Sequence, residues 1–302
     1  MDGFKQMSAK KGKEASLAFG GQALIEGVMM RSRKHMVLCV RKQNNNEILT
    51  SITNLNPITD KHRILGVPFL RGIVALFENF YLGMKGLLFS ANVALDEGEG
   101  KNSTTFGYKE LIVVGAGALG IVALFFVVPF FLAGLLNLTG VLFNVVEALI
   151  RLTMFILYLA LIASWGEFRR VLQYHGAEHK AINAHEAGIP MEISNVKEFS
   201  RLHPRCGTSF LFIVIIISIV LFSIMPSADY AVRLAYRILL IPVIASLSYE
   251  LLKMSGKYRN SVVIKILTAP GLAFQLLTTK EPSDDMLEVS TKAVQEVVKL
   301  SV

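Results

Sequence analysis

The run Leu111 to Leu136, LIVVGAGALGIVALFFVVPFFLAGLL, carries no charged side chain anywhere along it. A helix of that length spans the roughly 30 Å of a bilayer's hydrocarbon core. A helix apolar on every side needs an apolar environment all round, which a small soluble domain does not offer. Gly115, Gly117 and Gly120 form a small-residue face that lets another helix approach closely, and Pro129 predicts a kink.

Three more segments read the same way. After the uncharged turn Asn137–Gly140, Val141 to Ala163 forms a second span. It contains Glu147 and Arg151, four residues apart on one helical face, which predicts an ion pair inside the bundle. The third span, Phe210 to Met225, ends at Pro226, and the fourth, Leu234 to Leu252, contains Arg237 and Pro242. Composition agrees: 53% hydrophobic and 18% charged residues, with a mean hydropathy of +0.50, are unusual for a soluble chain.

Orientation follows from the basic residues in short loops. The loop 164–209 carries Arg169, Arg170, Lys180, Lys197, Arg201 and Arg205, and Lys253, Lys257, Arg259 and Lys265 follow the last span. These belong in the cytoplasm, with both termini inside, which predicts a multi-pass protein of the cell (inner, plasma) membrane. The same rule accounts for the net charge of +8, so no specific nucleic-acid partner is expected. Cys39 and Cys206 are too few and too far apart for a disulfide framework, and suit a reducing compartment.

The expected fold class is therefore an α-helical integral membrane protein of about four transmembrane helices, with a small N-terminal α+β cytosolic region and a C-terminal amphipathic helix. Residues 1–16 form a lysine-rich tail without a signal-peptide core. In 17–63, HMVLCVR and EILTSIT flank Asn44-Asn45-Asn46 and predict a β-hairpin. The preceding glycine-rich run from Gly20 only loosely resembles a phosphate-cradling loop. In 64–110, Arg71, Glu78 and Lys85 fall on one stripe of an amphipathic helix lying on the membrane surface or against the bundle. Transmembrane hairpins then occupy 111–163 and 210–252, separated by the cytosolic loop 164–209. In the cytosolic segment 253–302, Pro282-Ser283-Asp284-Asp285 opens an amphipathic helix that packs on the cytosolic region.

The chemistry concentrates in Tyr174-His175-Gly176-Ala177-Glu178-His179-Lys180. One helical turn separates His175 from His179, so two imidazoles project from one face and can hold a Zn²⁺ ion. The string fits the H-x-x-E-H pattern of inverted zincins, which makes Glu178 the candidate general base. His203 and Cys206, in His203-Pro204-Arg205-Cys206, offer further soft ligands just before the third span. Glu250, at the cytoplasmic end of the fourth span, is another candidate to complete the shell. The competing reading is plain: two histidines hydrogen-bonded at a helix surface, Cys206 as a small buried residue, and Glu250 answering Lys253 or Arg169. A Cys206–His203 nucleophilic dyad is disfavoured by the Pro204 between them.

GGQALIEGVMMR, YHGAEHKAINAHEAG, HPRCGTSF, SYELLK, APGLAFQLLTTKEP and DDMLEVS closely resemble the YqhQ-like family, bacterial multi-pass membrane proteins that form a domain-of-unknown-function group. The resemblance covers about Leu17 to Ser290. Leu24 stands where the family usually has valine, and Ser32-Arg33 where Gly-Pro often follows. The group is commonly labelled metal-dependent, so the resemblance implies a divalent metal cofactor without implying a reaction.

Two functions of different classes follow. One is a membrane-bound metal protein working as a hydrolase at the cytoplasmic face, on a peptide, a lipid headgroup or a nucleotide-like ester. The other is a non-catalytic scaffold, its motifs structural with or without a closed metal site, that docks a cytosolic protein, the ribosome or protein-insertion machinery. The lipid bilayer is the partner common to both, and a second copy of the chain is a further one. A transporter ranks behind them, since the only intramembrane charges are Glu147, Arg151 and Arg237 and no pair of broken helices is evident.

Overall fold

The computed structural model describes residues 19–95, 108–225, 229–258 and 261–301. The basic segment expected at 1–16, residues 96–107 of the expected linker, and Pro226 lie outside the described residues.

Four strands form an antiparallel meander in chain order: Gly20–Leu24 (β1), Gly27–Arg31 (β2), His35–Arg41 (β3) and Ile48–Asn54 (β4). The hairpin expected around Asn44–Asn46 is β3–β4, with His35 opposite Asn54 and Arg41 opposite Ile48. The glycine-rich run is a strand pair rather than a phosphate loop. Leu24 faces Gly27, so Ile25 and Glu26 alone make the turn. Glu26 takes a positive φ of 53° there, and Arg170 holds its carboxylate through two bonds of 2.5 Å.

The helices run Ile58–Lys61 (α1), Leu70–Ala94 (α2), Tyr108–Val122 (α3), Val128–Gly134 (α4) and Gly140–Ser164 (α5). Gly166–Glu186 (α6), Ile193–Lys197 (α7) and Gly207–Ser223 (α8) follow. Tyr230–Lys257 (α9), Val262–Thr278 (α10) and Asp284–Lys299 (α11) complete the described chain. A π-helical turn, Ala123–Val127, joins α3 to α4 just before Pro129, where proline removes a ladder bond.

The central strands β2 and β3 read as continuous apolar runs because both faces of the sheet are covered. Strand alternation sends Val28, Met30, Val37 and Cys39 to one face, into a core shared with α6 and α11. Met29, Met36, Leu38 and Val40 point the other way, onto Leu82 and Phe89 of α2. The C-terminal amphipathic helix thus packs where its pattern places it. Ser283 is its N-cap position, but the capping is by its carbonyl, which accepts from Met286 and Leu287, and not by its hydroxyl.

Four stretches are long and apolar enough to cross a membrane: Leu70–Ala94, Gly115–Gly134, Gly140–Ser164 and Tyr230–Ser255. The set differs from the sequence expectation at one place. The segment expected as a third span is α8, a shorter apolar helix of 17 residues, while α2 meets the length criterion. Yet the C-terminal half of α2 covers the sheet, and Gly72 at its N-terminal end packs against Ser246 of α9. It therefore lies against both the sheet and α9. A further apolar helix, α10, occupies the stretch read as a cytosolic segment and packs along α8, with Gly271 against Ser209. Lys265 and Pro270 interrupt its apolar run, which hid it.

The Glu147–Arg151 pair is present and larger than expected. Arg237 of α9 joins it at 2.9 Å, and Arg151 also donates to Ser218 of α8 at 2.9 Å. All three charges are buried, and the faces of Phe126, Phe143 and Phe222 lie beside the guanidiniums. One polar cluster therefore pins α5, α8 and α9 together.

Candidate metal centre

α6 leaves the bundle and runs under the sheet. Gly176 makes this docking close: a Cβ there would collide with the Lys280 carbonyl. The Lys280 amide in turn donates to the Leu172 carbonyl at 2.9 Å. This contact brings Thr278 at the end of α10, and residues 279–282 of the strap between α10 and α11, alongside the histidine face of α6.

His175 Nδ1 lies 2.8 Å from the Thr278 carbonyl, and His179 Nδ1 lies 2.6 Å from the Arg201 carbonyl. A carbonyl only accepts, so each Nδ1 carries the proton and each Nε2 is left as the lone-pair nitrogen. His175 Nε2 sits 3.2 Å from the Cys206 sulfur. One candidate ligand atom each from His175, His179 and Cys206 lies within 4.8 Å of the others. Carbonyl-anchored imidazoles are the usual outer support of metal-binding histidines. Two nitrogens and a sulfur are a donor set that would suit zinc.

Each of these three side chains is held by a separate device. Asn183, one turn beyond His179, donates to the Ser200 and Leu202 carbonyls at 2.7 and 3.1 Å, fixing the loop that presents the Arg201 carbonyl. Gln275 of α10, fully buried, accepts from the His203 amide and donates to the His203 carbonyl, both at 2.8 Å. That clamp seats the HPRC loop. Cys206 is the N-cap residue of α8, where a helix dipole favours negative charge, and its sulfur also meets Thr208 Oγ1 at 2.9 Å.

Glu178 lies beside the trio but outside it. It is 4% exposed, and burial pushes its carboxyl up to about 7, partly offset by His175. Its head group packs on Gly21 of β1, where a Cβ would come within 2.5 Å of Oε1. His175, Glu178, His179 and Cys206 share the wall of a cavity of about 530 Å³, with Gly20 to Gln22 on the sheet side and Phe210 and Leu252 on the bundle side.

The remaining expected ligands stand elsewhere. His203 lines the same cavity, but its Nε2 lies 3.5 Å from Glu186, and burial depresses its basicity while Glu186 opposes that. Its ring centroid is 5.8 Å from that of His179. Glu250 is not among the grouped donors. Both its oxygens go to Arg71 of α2, at 2.7 and 2.5 Å. Sequence reasoning missed the carbonyl acceptors of Thr278 and Arg201, which no side chain advertises. Glu186 was legible: it falls seven residues after His179, on the same helical stripe.

The family model "Protein of unknown function (DUF1385)" matches residues 67–300, which include α6, the HPRC loop and the strap. "Uncharacterized protein YqhQ" of Bacillus subtilis (strain 168) is 35% identical over 304 aligned positions, covering 94% of this chain and 93% of that protein. No solved structure matches. A family model over most of the chain and a relative aligned along nearly all of it place this protein in the DUF1385 family of proteins of unknown function.

Proposed function

We propose that this chain is a multi-pass membrane protein whose cytoplasmic layer carries a single divalent metal ion, zinc by the chemistry of its donors, and works as a hydrolase there. His175, His179 and Cys206 hold the ion. The observation that supports this most directly is that both Nδ1 atoms are committed to backbone carbonyls, which leaves both Nε2 atoms as ligands beside the Cys206 sulfur. A bound ion would supply Lewis acidity toward the substrate. Glu178 takes the proton from an attacking water, and its burial next to Gly21 keeps that carboxylate aimed into the cavity. The basic residues of the loops support a cytoplasmic position for α6, the sheet and α11.

The test is the metal content of the detergent-purified protein beside a His175→Ala/His179→Ala variant. About one zinc per chain, lost in the variant, is the expected result. No metal in a well-folded wild-type protein overturns the proposal and favours the docking-scaffold function.

A further inference from the structure

A second cavity, of about 630 Å³, adjoins the metal cavity and shares Gly20, Arg31, Asn79 and Tyr249 with it. Its wall carries four cations, Arg31, Arg33, Arg71 and Lys253, against two carboxylates, Asp60 and Glu78, with Glu250 behind Arg71. Arg31 reaches Glu78 and Asn79 at the junction of the two cavities. Arg31 pairs with Glu78, Arg33 with Asp60 and Arg71 with Glu250, while the exposed Lys253 acts on Glu250 from a distance. Four cations against three carboxylates leave one positive charge in excess, and an anion in this cavity is next to the candidate metal ligands.

The lip of the cavity is apolar where none of the described residues covers it. The segment that carries Gly66 exposes Ile64, Val67, Phe69 and Leu70, at 76%, 45%, 54% and 41%. Lys61 and Arg63 beside them are exposed as well. Exposed apolar side chains interleaved with cations are what a protein presents to an anionic lipid surface. The same segment leads directly into α2, whose first turn packs on the C-terminal half of α9 through Phe69 and Ser246.

We propose that this basic cavity receives the phosphate of an anionic amphiphile's headgroup, with Arg31 and Lys253 as its contacts and the 62–70 segment seated in the lipid surface. This rests on the hydrolase reading for its meaning: it makes the substrate a phosphate-bearing lipid presented to the metal centre from the headgroup layer. Binding itself does not need the metal, so the two ideas can fail separately.

The experiment is a titration of full-length protein, purified in a neutral detergent, with dihexanoyl phosphatidylglycerol. Parallel titrations use dihexanoyl phosphatidylcholine and inorganic phosphate, all read by ligand-dependent thermal shift. Saturable binding of the glycerol lipid is expected, at least about tenfold tighter than either control. Lys253→Glu and Arg31→Gln should weaken it about tenfold or more at unchanged metal content. Lys253→Arg should preserve it, and His175→Ala/His179→Ala should bind lipid normally without metal. Equal binding of inorganic phosphate overturns the lipid assignment. Binding that is indifferent to both Lys253→Glu and Arg31→Gln, or absent from the wild-type protein, overturns the site.

Discussion

His175 donates its Nδ1 proton to the carbonyl of Thr278, 103 residues further along the chain, at 2.8 Å. The imidazole and its support therefore come from different helices, and the Gly176–Lys280 contact holds the two together. Gly176→Ala forces α6 and the strap apart. Metal affinity should fall about 10- to 100-fold, and thermal unfolding should show a loss of about 1–3 kcal/mol from overpacking. Full metal affinity in this variant would mean that the Thr278 carbonyl does not orient the ligand.

Glu178→Gln separates base from ligand. The variant should keep its metal and lose about 10²- to 10⁴-fold in turnover of a phosphate-bearing lipid ester. Metal content and rate are measured on the same preparation. Metal loss instead would make Glu178 a ligand. Gly21→Ala should give a milder version, since its Cβ displaces the carboxylate without touching a ligand.

Glu250→Gln distinguishes the sequence expectation from the geometry. With both Glu250 oxygens on Arg71, the variant should bind metal as the wild-type protein does. Elemental analysis decides it, and metal loss would restore Glu250 to the shell.

Burial pushes the Cys39 thiol up to about 11 from an ordinary 9.0. The folded state thus keeps this proton after the unfolded chain has lost it. The associated stability is complete below pH 9 and is lost as pH rises toward about 11, by at most about 3 kcal/mol. Cys39→Ala should flatten the alkaline limb of an unfolding profile measured by circular dichroism. In the native protein at pH 8, iodoacetamide should modify Cys206 and spare Cys39, and added zinc should block even that reaction. Equal labelling of both thiols would count against the buried sheet core.

Glu147→Gln leaves Arg151 and Arg237 buried without a counter-charge, which costs about 3–5 kcal/mol. The expected readout is a lower unfolding temperature in detergent, with metal content unchanged in the fraction that folds.

The parts of this fold legible in the sequence are those whose partners lie close along the chain or whose periodicity is complete. The β3–β4 hairpin announces itself through alternation around Asn44–Asn46, and α11 through its apolar rhythm after Ser283. The β1–β2 hairpin did not, because its turn is Ile25-Glu26 and lacks the Asn-Gly or Asp-Gly pair that usually marks a two-residue loop. Glu26 tolerates its positive φ because Arg170, 144 residues away, holds it. The site divides in the same manner. Helical spacing alone put His175 next to His179. That Cys206 and not Glu250 lies beside the two histidines was not legible, because Glu250 is held by Arg71 across 179 residues.

The strap also makes the cluster a joint between distant stretches of chain. Thr278, the acceptor for His175, lies 103 residues from it, and Gln275, the clamp on the HPRC loop, lies 72 residues from His203. A single backbone cut that freed α10 and α11 from α6 would therefore take away the acceptor, the clamp and the α11 face of the sheet core together. Limited proteolysis and loss of the cluster are thus one event and not two.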